Sequence, residues 1–80
     1  MSNLGTFHST IDRFNNEAIK RLEGECFEEA LIRLQEADSI LNFAVNCGKT
    51  ISKALITTIL HNRACAYQGL YKLKELSQDL

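Results

Sequence analysis

The same apolar rhythm occurs twice in this chain, and that doubling restricts the fold more than any single residue does. Phe14-x-x-Glu17-Ala18 precedes Phe27-Glu28-Glu29-Ala30-Leu31-x-x-Leu34-x-x-Ala37. Further on, Leu60-x-x-Arg63-Ala64-x-x-Tyr67 precedes Leu73-x-x-Leu76-x-x-x-Leu80. Apolar residues at steps of three and four share one face of a helix. Each block therefore reads as a helix with a small residue in mid-face, a turn, and a second amphipathic helix. Helix pairs that repeat stack on one another, and such stacks mostly bind other proteins.

Nothing in the composition opposes an all-α fold. The chain has no Pro, and its four Gly stand apart at Gly5, Gly24, Gly48 and Gly69. β-branched residues cluster only within Thr50–Ile59, without the alternation of a half-buried strand. The 80 residues make one small helical domain over 1–80. Within it the spacing predicts a first helix pair over 8–46 and a second, incomplete pair over 51–80.

The first helix is expected to open near His8 or Ser9. It carries Phe7, Ile11, Phe14, Ala18 and Leu22 on one face and ends at Gly24. The second runs from about Cys26 to Val45. Its stripe is Phe27, Ala30, Leu31, Leu34, Ala37, Leu41 and Ala44, and its early acids suit the positive end of the helix dipole. Asn46-Cys47-Gly48-Lys49-Thr50 is the linker. The third helix places Leu55 or Ile56, Ile59, Leu60, Ala64 and Tyr67 on its main face. A break at Gly69–Leu70 then leaves a short fourth helix with Leu73, Leu76 and Leu80. The alternative is one helix from Ile51 to Gln78, because a single interior Gly costs only about 1 kcal/mol.

These blocks resemble the tetratricopeptide repeat. In the first, Phe14 takes the bulky position and Ala18 the small one, and Ala30, Leu34 and Ala37 match the second helix. In the second, Leu60, Ala64 and Tyr67 match the first helix, with Leu76 and Leu80 standing for the apolar positions of its partner. Glu17, Arg21 and Arg63 depart from the pattern, and its closing Pro is missing from both blocks. Ala18 to Ala64 spans 46 residues, against a usual period of about 34. The first pair is therefore lengthened between Ala37 and Ile56.

The resemblance implies a solenoid fragment of about four helices, cut from a longer array, and acting as scaffold or adaptor. It implies a groove lined by the first helix of each pair: Asp12, Asn15, Ile19, Thr58, His61, Asn62, Cys65 and Gln68. Such a lining suits an extended or helical peptide of a partner protein. Asn62 also matches an Asn with which some of these domains hold a peptide's C-terminal carboxylate, but Ile19 falls where that clamp needs a donor. Leu73, Leu76 and Leu80 form an unfinished apolar edge, from which self-association into a homo-oligomer is expected.

Two other readings compete. A three-helix bundle resembling the microtubule-interacting-and-transport domain implies binding of short amphipathic helices from membrane-remodelling proteins. A purely structural oligomerisation segment needs no ligand groove. Gly69 separates the first of these from the repeat: a continuous third helix favours the bundle.

Other functions find little support. The net charge is −1 and basic residues form no block, so nucleic acid is not an expected partner. Apolar runs are far shorter than the ~20 residues that cross a bilayer, so membrane insertion is not expected. The residues after Met1 lack the layout of a secretory signal. Cys26, Cys47 and Cys65 have no metal or redox spacing and fit free thiols in a reducing cytoplasm. His8 and His61 are in no ligand spacing. Gly48-Lys49-Thr50 imitates the end of a phosphate loop, but Phe43 stands where its first Gly belongs. Neither a cofactor nor an enzymatic activity is expected.

Overall fold

A computed structural model describes residues 3–78, with side chains for residues 7–76, as three α-helices and no strand. These are α1 (Asn3–Glu23), α2 (Phe27–Asn46) and α3 (Lys53–Gln78). The fold is all-α, as the sequence predicts. The break at Gly69 is absent: α3 is continuous, the three-helix alternative holds among the described residues, and a fourth helix is not present there.

Cross-links fix an up–down–up order. The Phe7 ring lies 5.9 Å from the Phe43 ring, and Arg21 pairs with Glu29 at 3.2 Å, so α1 and α2 are antiparallel. The Ser52 amide donates to His8 Nε2 at 3.2 Å, and Asn62 reaches Asn15, so α3 runs parallel to α1.

α1 begins five residues earlier than the His8 expected from sequence. No Pro interrupts Asn3–Thr6, and the Phe7–Phe43 contact holds the first turns against α2. α2 follows expectation closely. Ala30, Leu34, Ala37, Leu41 and Ala44 are buried, at alternating steps of four and three. That spacing keeps one seam facing inward along the helix. Small residues at 30, 37 and 44 let neighbouring helices approach closely.

Both turns end their helix in the same way. At the second, Gly48 takes φ +82°. Its amide reaches the Val45 carbonyl at 2.9 Å, and the Lys49 amide reaches Ala44 at 3.0 Å. At the first, the left-handed residue is Glu25, with φ 61°, and not the expected Gly24. The Glu25 amide bonds the Leu22 carbonyl at 3.0 Å, and Cys26 bonds Arg21 at 2.8 Å. These are the paired bonds of a Schellman end, and they place the strained position one residue after the glycine. A side chain there carries a steric penalty that Gly avoids. Glu25→Gly is expected to raise stability by about 0.5–1 kcal/mol in urea denaturation.

α3 is turned relative to the face its apolar residues suggest. Ile59, Asn62, Ala66 and Gly69 are buried, whereas Leu60 is 56% exposed and Tyr67 51% exposed. Ala64 also faces outward. The tetratricopeptide-like positions of the second block thus lie on the outer surface. Two contacts set this rotation. Asn62 is held inside by Asn15, and Gly69 lies against the Phe27 ring, which a Cβ would overlap.

Gly69 is therefore kept for space, not for a turn. Gly69→Ala is expected to lose about 1–2 kcal/mol, because the overlap outweighs the better helix propensity of Ala. With Phe27→Ala in the background the sign reverses, and the same change stabilises by up to about 1 kcal/mol. Thermal unfolding of the four proteins in that cycle checks it.

Candidate functional site

A concave feature lies between α1 and the start of α3. His8, Ser9, Asp12 and Asn15 line one side, and Ser52, Ala54, Leu55 and Thr58 the other, around a volume of about 480 Å³. On α1 the lining recurs at steps of three and four, one helical row away from the buried Ile11 and Ala18. The apolar row closes the core, and the polar row next to it faces the cleft.

Asn15, in the lining of the cleft, is tied to Asn62 of α3. Asn62 Nδ2 donates to Asn15 Oδ1 at 2.8 Å, and both side chains are buried. Among the described residues no buried side-chain nitrogen or oxygen lacks a hydrogen-bond partner. The bond gives the buried Asn15 oxygen and the buried Asn62 amide a partner, which lowers the cost of burying them. The pair therefore sets how α3 lies on α1, and with it the shape of the cleft.

Asp12 is the single carboxylate of the lining, and no Lys or Arg joins it. Hydroxyls of Ser9, Ser52 and Thr58 supply donors and acceptors, and Leu55 adds an apolar wall. The Thr58 hydroxyl donates to the Ala54 carbonyl at 2.8 Å and keeps acceptor capacity toward the cleft. Such a lining matches a cationic or hydrogen-bonding group better than an anionic one.

The residues expected to form a groove are only partly brought together. Asp12, Asn15 and Thr58 line the cleft. Asn62 sits in the interior and donates to Asn15, outside the lining of the cleft. Ile19 is half-buried outside the lining. His61 and Gln68 are exposed further along α3, with Cys65 half-buried between them, and Cys65 Sγ lies 3.7 Å from His61 Nε2. Sequence reasoning missed His8, Ser9, Ser52 and Leu55. The row His8–Asp12–Asn15 was visible as a helical spacing, but its partner across the cleft depended on the rotation of α3.

The expected self-association edge is exposed where it is described. Leu73 is 46% and Leu76 63% accessible, and Leu80 lies outside the described residues. The Cys26, Cys47 and Cys65 thiols are free. Among the described residues no group of three or more metal-ligating side chains comes together, and no helix is long and apolar enough to cross a membrane. No protein-family model, curated protein or solved structure matches this chain.

Proposed function

We propose that this chain is a protein-interaction module that holds a peptide or helix of a partner protein in the α1–α3 cleft. The observation that carries the reading is the cleft itself: two helices present polar side chains across an open volume of about 480 Å³, with Asn15 in the lining held by Asn62 from the interior. Grooves between helices that offer a few convergent polar groups are typical peptide sites. The Asp12 carboxylate directs the choice toward peptides with Lys or Arg, since a charge-assisted hydrogen bond is stronger than a neutral one. A carboxylate clamp is disfavoured, because Asn62 is occupied and the lining holds no Lys or Arg.

The continuity of α3 favours the bundle resembling the microtubule-interacting-and-transport domain over two tetratricopeptide-like pairs. On that reading the natural ligand is a short amphipathic helix. Selection from a displayed random-peptide library tests the proposal. Lys- or Arg-bearing peptides are expected to emerge, and Asp12→Ala is expected to weaken them about 10-fold. Failure to select any peptide, or binding that ignores Asp12, contradicts it.

A further inference from the structure

Two metal-ligating side chains meet on α3, outside the core. His61 and Cys65 stand four residues apart, and residues at that step lie one above the other on a helix. Helical side chains lean toward the N-terminus, so Cys65 reaches back over His61. Cys65 Sγ lies 3.7 Å from His61 Nε2. A Zn²⁺ ion about 2.3 Å from a thiolate and about 2.0–2.1 Å from an imidazole nitrogen holds those two atoms about 3.5 Å apart at the tetrahedral angle. The pair therefore stands close to the bite of one ion without any change of backbone. His61 is exposed and Cys65 half-buried, so an ion reaches both from solvent. Cys26, by contrast, directs its thiol to the Gly24 carbonyl at 3.7 Å.

The surroundings on α3 suit a dication. The positions three or four residues from either ligand are Thr57, Thr58, Asn62, Ala64, Gln68 and Gly69, and none of them carries a charge. Arg63 stands between the two ligands in the chain but turns toward Asp38 of α2, at 3.9 Å. We infer that His61 and Cys65 bind a borderline-soft divalent ion, with Zn²⁺ the best match to a thiolate and an imidazole. His61 binds through Nε2 and keeps its proton on Nδ1. The Cys65 thiol gives its proton to solvent as the bond from sulfur to metal forms. Water fills the two remaining tetrahedral positions, so the ion is exchangeable and not a structural staple. His61-x-x-x-Cys65 thus corrects the expectation that His61 has no ligand spacing, and the shared face of α3 gives the pair its meaning. Neither residue lines the α1–α3 cleft, so the site does not depend on how the cleft is read.

Isothermal titration of Zn²⁺ alone into the full chain tests the inference. Cys26→Ser and Cys47→Ser, both at exposed positions, first leave Cys65 as the single thiol. This parent is expected to bind with a Kd of about 10 μM, because it offers two protein ligands where a structural site has four. About one proton should be released per ion, counted by repeating the titration in buffers of different ionisation enthalpy. His61→Ala and Cys65→Ser are each expected to weaken binding at least ~10-fold. Neither side chain belongs to the core, so far-UV circular dichroism should keep its helix signal in both variants. With Cd²⁺ as the probe, the parent should show a thiolate-to-metal charge-transfer band that Cys65→Ser removes. Binding that survives His61→Ala means a thiol acting alone and overturns the inference. So does binding that survives Cys65→Ser, or a parent that binds no Zn²⁺ at about 1 mM.

Discussion

Ile59→Ala is expected to destabilise the chain by about 2–5 kcal/mol, whereas Leu60→Ala, one residue on, is expected to stay within about 0.5 kcal/mol. Ile59 is among the largest fully buried side chains and belongs to the core cluster with Ile11, Leu34 and Leu41. Truncating it removes transferred apolar surface and leaves a void that closely packed helices fill poorly. Leu60 is more than half exposed, so its truncation removes little that is buried. For an 80-residue chain, whose total stability is about 4–12 kcal/mol, the first change is severe. It should lower the unfolding midpoint by about 10 °C or more. Equal losses at the two positions, read by thermal unfolding, would mean that α3 presents a different face.

The second large effect concerns the buried amide pair. Asn62→Leu removes the donor and leaves the Asn15 carbonyl oxygen buried without a partner, at a cost of about 1–3 kcal/mol. Asn15→Leu strands the Asn62 amide in the same way. The double replacement by Leu removes both polar groups at once, so it should destabilise by less than the sum of the single changes. A coupling of about 1 kcal/mol or more in urea denaturation supports the pair. Strict additivity contradicts it. The double variant should also open or shift the cleft, since the pair holds α3 against α1 at that level.

These two experiments fall where sequence and structure part. The α2 seam was legible because Ala and Leu alternate at regular steps and no polar residue interrupts them. The Gly48 turn was legible because a helix end favours a left-handed glycine. Leu73 and Leu76 were expected on a short fourth helix at the unfinished end of a second pair, and they lie exposed on the continuous α3. The rotation of α3 was not legible. A helical wheel weights residues by their own polarity, so Asn62 reads as surface and Leu60 as core. The actual face depends on Asn15, 47 positions away, which gives Asn62 a partner. Gly69 misled for a related reason. Taken locally it is a helix breaker, but beside Phe27 it is the residue that allows a ring to lie on the helix. At the first turn Gly24 drew the left-handed position to itself, while the hydrogen-bond pattern placed it on Glu25. For the candidate site, the α1 half could be read as a helical row, and the α3 half could not until its rotation was known.

The continuity of α3 supports the rest of the account. It makes the described residues a three-helix bundle, carries Leu73 and Leu76 on α3, and leaves among the described residues no fourth helix of the kind that a second tetratricopeptide-like pair requires. Backbone Cα chemical shifts and amide contacts across residues 66–73 test it most directly. The expected result is an unbroken run of helical shifts, with contacts from Ala66 to Leu70 and from Gly69 to Leu73. Non-helical shifts at Gly69 and Leu70, with those contacts missing, would contradict it.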